Sequence, residues 1–283
     1  MWLFALLLLS GLAGAGQTAE TRLLAATSIA PLADFVHQVG KDRVDVITLV
    51  PPGASPHTYE LTPSQVVQVA AARLLVLNGA GLEYWAPKLI EAIDNPRLEV
   101  VDTSRGMPLI DEGAHGANPH IWLDVRQAAK QVRDVRDALV KVDADHTADY
   151  QTNTAAYLAE LDQLDLEIAA KVEGWRQKQF IAFHPAWVYF ARRYGLEQAA
   201  VVEASPGREP SPAEVARIVE TAKRIGARAI FAEPQLSPKA AQTVAAESGA
   251  RVIFLDPLGG TPNHREYIAL MRYNVAQMAL ALE

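Results

Sequence analysis

An α/β fold with two lobes is predicted, each lobe holding a roughly four-stranded parallel sheet with helices on both faces. Short apolar runs alternate with segments of helical spacing, separated by short connections, and that alternation is typical of strand–helix units in a parallel sheet. In the middle of the chain, residues 144–173 contain neither proline nor glycine. A helix over residues 146–173 would be ~40 Å long. No strand–helix unit needs such a length, so we expect one long backbone helix that joins the two lobes.

The predicted lobes cover residues 20–144 and 175–283, with the linking helix at 145–174. In the first lobe the pattern predicts strands at 22–28, 44–50, 74–77 and 98–101, and helices at 31–39, 63–72, 82–93 and 125–142. In the second lobe it predicts strands at 180–183, 199–202, 229–232 and 252–255, and helices ending at 194 and covering 213–225, 239–248 and 265–282. Thr62 before Pro63 and Asp124 are predicted N-caps, and Gly195 is a predicted C-cap.

Residues 1–19 are predicted to be a signal peptide. Residues 2–15 are apolar, which is shorter than the ~20 residues of a membrane span, and Ala13 and Ala15 supply the small residues of a cleavage site. An uncleaved anchor is the alternative. The chain has no cysteine, so disulfides, thiolate metal ligands and a lipid-anchored N-terminal cysteine are excluded. We expect a monomer that is free in the periplasm.

Charge and hydropathy exclude two classes of partner, which are nucleic acid and a membrane into which the chain would insert. The net charge is −7, with acidic and basic residues interspersed and no basic run, whereas nucleic acid requires clustered Lys and Arg. After the leader no segment is long and apolar enough to insert stably in a membrane.

Three histidines and one aspartate follow predicted strands and carry the functional prediction: His57, His120, His184 and Asp256. In open parallel sheets, ligands bind beyond the carboxyl ends of the strands, so we expect these four side chains to face one cleft. Each is flanked by a proline, which restricts the local backbone. Three imidazoles and a carboxylate form the closed tetrahedral site that Zn²⁺ favours. The alternatives are a structural histidine at position 120 and a turn-capping role for Asp256.

Four acidic residues near strand ends are candidates to hold the free nitrogens of these imidazoles: Glu60, Glu203, Glu209 and Glu233. Glu60 is close enough in sequence to orient His57 or to replace a missing ligand. Turn capping or a solvated surface position is the alternative for each acid.

Five motifs resemble the solute-binding proteins of ABC importers that capture Zn²⁺ or Mn²⁺, the ZnuA/TroA-like family of cluster A-I. They are PPGASPHTYE at 51–60, NPHIWLD at 118–124, FHPAWVYFARRYG at 183–195, SPGREPSP at 205–212 and FLDPLGG at 254–260. The resemblance implies a metal site between two lobes and a membrane permease as partner. In that family a histidine at the third position, here His184, is typical of zinc binders. The loop before His120 offers only His115 instead of a histidine-rich insert, which leaves manganese, or both metals, open.

A zinc-dependent hydrolase and a surface adhesin are the alternatives from other functional classes. Catalytic zinc needs an open coordination position and usually a nearby general base, but here a fourth protein ligand is available and the chain has no HExxH motif. An adhesin would show exposed apolar patches. We therefore expect a binding protein and not an enzyme.

Overall fold

The computed structural model describes residues 22–113 and 116–283. The predicted signal peptide and His115 lie outside the described residues. The strands are β1 Leu23–Thr27, β2 Val44–Thr48, β3 Leu74–Leu77, β4 Glu99–Asp102, β5 Gln179–Ala182, β6 Glu197–Val201, β7 Ala229–Ala232 and β8 Arg251–Phe254. The α-helices are α1 Ala30–Gly40, α2 Pro63–Ala71, α3 Ala86–Ala92, α4 Val125–Val142, α5 Thr147–Glu173, α6 Val188–Tyr194, α7 Pro212–Arg224, α8 Lys239–Ser248 and α9 Tyr267–Leu282.

The eight strands form two separate sheets of four. The first has the order β2-β1-β3-β4 and the second β6-β5-β7-β8, and every pairing is parallel. The predicted α/β architecture with two four-stranded lobes is therefore confirmed. Because all strands of a sheet run the same way, their carboxyl ends lie along one edge of each sheet, where ligands bind in folds of this type.

Helix α5 is the predicted long helix, with 27 residues. One stripe along it is buried: Tyr150, Thr154, Tyr157, Leu161, Leu164, Asp165, Ile168 and Val172. The helix packs against α1 and α4 of the first lobe and against α6 and α9 of the second. Its contacts to both lobes are consistent with the connecting role predicted from the absence of proline and glycine.

The two lobes share one hydrophobic core. A single cluster of buried side chains includes Phe35 and Trp122 from the first lobe, Tyr157 from α5, and Phe180 and Leu255 from the second lobe. All five are at most 3% exposed. A shared core opposes independent motion of the lobes, because separating them would expose apolar surface to water.

The predicted helix ends are present, with one difference in α3. Thr62 and Asp124 cap α2 and α4 with their side chains, and Gly195 ends α6 in the left-handed conformation. The helix predicted over 82–93 begins only at Ala86. The preceding residues form a turn in which the buried Glu83 carboxylate accepts the backbone N–H groups of residues 78 and 79 at 2.9 and 3.0 Å.

No helix within residues 22–113 and 116–283 combines the length and apolar character that crossing a bilayer requires.

Candidate metal centre

His57 lies in a loop that one glutamine ties at both ends. Thr62 and Gln65 form a capping box at the start of α2, in which Gln65 Oε1 accepts the N–H of Thr62 at 2.9 Å. Gln65 Nε2 donates to the carbonyl of Leu49, at the other end of the loop, at 2.6 Å. Pro56 beside the histidine is buried. The imidazole therefore projects from a loop with little conformational freedom.

His120 and His184 are held by short helical turns that lead into α4 and α6. His120 precedes the 3₁₀ turn Ile121–Leu123, and His184 precedes the 3₁₀ turn Pro185–Trp187. Both histidines are 3% exposed. His184 Nδ1 lies 2.8 Å from Oε1 of Glu233. Since β5 and β7 are neighbours in the second sheet, the residues that follow them, His184 and Glu233, lie side by side.

The three predicted histidines form one cluster. Nε2 of His120 lies 3.1 Å from Nε2 of His57 and 3.0 Å from Nε2 of His184. The ligand atoms of the three residues all lie within 4.8 Å of one another. A tetrahedral zinc ion with Zn–N distances of about 2.05 Å holds its nitrogens ~3.3 Å apart. The spacing in this protein is therefore close to that around a metal ion.

The hydrogen bonds behind the imidazoles direct lone pairs into the cluster. His120 Nδ1 lies 3.0 Å from Oδ1 of Asn118, and His184 Nδ1 lies 2.8 Å from a carboxylate oxygen of Glu233. Both partners are acceptors, so in the neutral imidazoles each Nδ1 carries the hydrogen and each Nε2 presents a lone pair. Two lone pairs facing at 3.0 Å repel each other unless a cation lies between them. The donor set thus fits a metal ion.

Electrostatics favour the neutral form of two of the imidazoles, those of His57 and His120. Burial, and then the charge of His184, lower the pKa of His57 to about 3. Burial, and then the charges of His184 and His57, hold the pKa of His120 well below its usual value. A metal ligand must be the neutral imidazole, and here burial and mutual repulsion favour that form.

Asp256 is buried, and its neighbours Gln235 and Pro257 line the cavity at this cluster, but Asp256 is not a member of the cluster. The group of closely spaced ligand atoms within the described residues contains His57, His120 and His184. Oδ1 of Asp256 accepts the N–H groups of Leu258 and Gly259 at 3.1 and 2.9 Å, which is the turn-capping role weighed above. Oδ1 also accepts Nε2 of Gln235 at 2.8 Å.

The four predicted acidic partners differ in their positions. Glu233 contacts His184, as described. Glu203, after β6, is buried, and its carboxylate accepts the N–H of Gly207 at 3.0 Å. Burial raises the pKa of Glu203, although that hydrogen bond and the charge of His184 lower it in part. Glu60 and Glu209 are exposed, and within the described residues neither forms a hydrogen bond to an imidazole.

Sequence reasoning missed three residues that shape the site. Asn118, Trp122 and Gln235 surround it: Asn118 contacts His120, Gln235 contacts Asp256, and Trp122 Nε1 donates across the lobes to the carbonyl of Pro257 at 2.7 Å. Asn118 and Trp122 stood within the motif NPHIWLD, so their proximity to His120 was visible. Gln235 follows β7 by three positions, and nothing in the sequence pattern distinguishes it.

The cavity at the cluster is very small. It is lined by residues of both lobes, including the three histidines, Glu233 and Trp122, and encloses ≈ 10 Å³. That is about the space of one water molecule, whereas pockets for organic ligands measure ~300–1,000 Å³. The centre accommodates an ion and excludes an organic substrate.

Two parallel-sheet lobes on a connecting helix, closed over buried imidazoles, define the class of metal-binding solute-binding proteins. Residues 26–281 match the family model described as "Zinc-uptake complex component A periplasmic". The chain belongs to this family, which agrees with the resemblance inferred from the motifs.

Named relatives include both zinc and manganese proteins. The chain is 30% identical to the high-affinity zinc uptake system protein ZnuA of Bacillus subtilis, over 93% of this chain and 88% of that protein. It is 32% identical to the manganese-binding lipoprotein MntA of Halalkalibacterium halodurans, over 88% of this chain and 85% of that protein. Among solved structures, the Zn(II)-bound ZnuA-like domain of Streptococcus pneumoniae AdcA superimposes with a TM-score of 0.81 at 30% identity, covering 93% of this chain and 99% of that one.

Proposed function

We propose that this protein captures Zn²⁺ in the periplasm with His57, His120 and His184 and delivers it, as a monomer, to the permease of an ABC importer. The observation that carries the proposal is the convergence of three Nε2 atoms, with neighbouring nitrogens 3.0 and 3.1 Å apart. Imidazole is a preferred ligand of Zn²⁺, while Mn²⁺ prefers more oxygen ligands. The family description supports a periplasmic uptake role.

Oδ2 of Asp256 is the proposed fourth ligand. Oδ1 is engaged by the turn and by Gln235, so a ligand role falls to the second oxygen of the same carboxylate. A bound dication would also be stabilised by the buried acids around it, since Glu203, Glu233 and Asp256 are each at most 7% exposed. Four protein ligands leave no open position for a catalytic water, and the ≈ 10 Å³ cavity leaves no room for an organic substrate. Both points favour binding without catalysis.

Manganese is the alternative cargo. The relative MntA of Halalkalibacterium halodurans is named as a manganese-binding protein, and its identity to this chain is similar to that of the zinc relative. The nitrogen-rich donor set favours zinc between the two.

The test is native mass spectrometry of the chelator-stripped protein offered zinc and manganese in equal excess. The wild type is expected to retain one zinc ion, and His184→Ala to retain it only weakly because one of three imidazole ligands is lost. His37→Ala is the matched control, since His37 is exposed on α1. Retention of manganese in preference would change the cargo, and retention of no metal by the wild type would overturn the proposal.

A further inference from the structure

Asn118 is fully buried and joins the loop before α4 to the 3₁₀ turn at Pro185 and to α6. Its Nδ2 donates to Oε1 of Glu112 at 2.8 Å and to the carbonyl of Pro185 at 2.6 Å. Its Oδ1 accepts the backbone N–H of His120 and lies 3.0 Å from Nδ1 of the same histidine. Its backbone carbonyl accepts the hydroxyl of Tyr189 at 2.8 Å. The side chain is 0% exposed, and both of its polar atoms have partners.

These partners allow only one orientation of the amide. The atoms facing Nδ2 are a carboxylate oxygen and a carbonyl oxygen, both acceptors, and the backbone N–H of His120 that faces Oδ1 is a donor. A flipped amide would set acceptor against acceptor and donor against donor. Oδ1 therefore faces His120 Nδ1 and, as an acceptor, requires the hydrogen on that nitrogen. The Nε2 lone pair of His120 then points to the other two histidines.

The same amide also joins the two lobes next to both ligands. Asn118 and His120 belong to the loop before α4, while Pro185 follows His184 in the second lobe. The 2.6 Å bond from Nδ2 to the Pro185 carbonyl therefore fixes the backbone after one ligand, while Oδ1 fixes the ring of the other. This connection therefore limits how far apart Nε2 of His120 and Nε2 of His184, which are separated by 3.0 Å, can move.

We propose that Asn118 is a positioning residue that selects the metal-binding tautomer of His120 and sets its distance from His184. The role rests on the proposed function, since the ligand concerned is the divalent ion captured by the three imidazoles. The two parts of this role can be tested separately. As a hydrogen-bond acceptor, Oδ1 sets the tautomer of His120, and as a hydrogen-bond donor, Nδ2 sets the spacing between the lobes.

Two variants separate these halves. Asn118→Ala removes both interactions. Asn118→Asp keeps an acceptor for Nδ1 of His120 but loses both donated bonds and places a carboxylate beside Glu112. Asn95→Ala is the matched control, because Asn95 likewise donates through Nδ2 to two carbonyls, those of Ala70 and Ala72, each at 2.9 Å, away from the metal centre.

The readouts are zinc affinity by competition with a chelator and the tautomer of His120 by long-range ¹H–¹⁵N NMR of the metal-free protein. Wild type is expected to carry the hydrogen on Nδ1 of His120. Asn118→Ala is expected to lose ~10–100-fold in zinc affinity, the usual effect of removing a partner behind a ligand. Asn118→Asp is expected to lose affinity because its carboxylate cannot donate the bond to the Pro185 carbonyl that connects the lobes. The Nδ1–H form is expected to persist in Asn118→Asp and to be lost in Asn118→Ala. Asn95→Ala is expected to match wild type in both measurements.

Two results overturn the inference while leaving zinc capture intact. One is a wild-type spectrum with the hydrogen on Nε2 of His120, which needs no variant and so does not depend on whether a variant folds. The other is zinc affinity in Asn118→Asp equal to that of wild type. Failure of the wild type itself to bind zinc would instead overturn the proposed function, and the NMR result would still decide whether Asn118 sets the tautomer.

Discussion

At the scale of single residues, hydrogen-bond acceptors lie behind the imidazoles of His120 and His184, so that the Nε2 lone pairs of these two rings face each other. Glu233 and Asn118 hold the outer nitrogens of His184 and His120. Removing such a partner weakens metal binding even though it touches no metal. Asp256 differs because one of its oxygens already closes a turn.

The two roles of Asp256 can be separated by Asp256→Asn. An asparagine oxygen can still accept the N–H groups of Leu258 and Gly259, so the turn and the melting temperature are expected to change little. If the second oxygen binds the ion, losing its charge should lower zinc affinity by more than the ~10–100-fold that loss of an outer partner causes. Chelator competition measures the affinity, and calorimetry the stability. An unchanged affinity would assign Asp256 to the turn alone.

The pKa of His57 predicts how the metal-free protein responds to acid. The folded-state pKa is lowered to about 3 by burial and then by His184, while the unfolded value is ~6.5. Between these values the unfolded state binds more protons, so the free energy of unfolding falls as the pH drops from 6.5 towards 3, by about 1.4 kcal/mol per pH unit for one histidine.

The measurement is urea unfolding of the metal-free protein at pH values from 7.5 to 4. His57→Gln should lose stability less steeply over this range, because the substituted side chain does not titrate. Equal slopes for the two proteins would show that His57 is not buried as a neutral group in the metal-free state.

At the scale of elements, α5 is tied to its neighbours by a buried carboxylate. Asp165 accepts Nε of Arg126 on α4 at 3.0 Å, and Nε of Arg193 and the hydroxyl of Tyr194 on α6 at 2.8 and 3.0 Å. Burial raises the pKa of Asp165, but the hydrogen bonds from Arg193 and Tyr194 outweigh it and leave the pKa below its usual range. One residue of α5 thus contacts a helix from each lobe.

Asp165→Asn is expected to lower the free energy of unfolding by about 1.5–3 kcal/mol, the usual contribution of hydrogen bonds to a charged group, because the buried side chain loses its charge and one acceptor oxygen. Asp162→Asn is the matched control on the same helix: Asp162 binds Nη1 of the same Arg126 at 2.7 Å, but its side chain is 57% exposed. The control should lose at most ~1 kcal/mol. Denaturant unfolding measures both, and equal effects would contradict a special role for the buried carboxylate.

At the scale of the whole molecule, buried contacts between the lobes limit their relative motion. Tyr267, at the start of α9, donates its N–H to Asp34 of α1 at 2.9 Å and its hydroxyl to the carbonyl of Trp122 at 2.7 Å. The indole of Trp122 in turn donates to Pro257. Together with the shared core, these contacts favour small adjustments near the metal over a wide hinge opening.

Small-angle scattering of the metal-free and zinc-loaded protein tests this expectation. The two profiles should superimpose, each with a radius of gyration of about 19 Å, the value for a compact chain of this length. A clearly larger radius for the metal-free protein would indicate hinged lobes that close on the ion.

Local signals in the sequence predicted much of this molecule. Alternating apolar runs predicted the eight strands, the stretch without proline and glycine predicted α5, and capping residues predicted the starts of α2 and α4, because each signal depends on neighbours along the chain. The sequence pattern did not predict the late start of α3, because the buried carboxylate of Glu83 binds backbone N–H groups and holds the preceding residues in a turn.

The strand–helix order, the histidines that follow strands and the family resemblance could all be predicted from the sequence alone. The tertiary structure alone decided which of those side chains meet. His57, His120 and His184 converge because two parallel sheets direct their carboxyl ends towards one cleft, while Glu60 and Glu209 are exposed on the surface. It also decided that Asn118 bridges the lobes, because hydrogen bonds between residues 67 positions apart leave no periodic pattern in the chain.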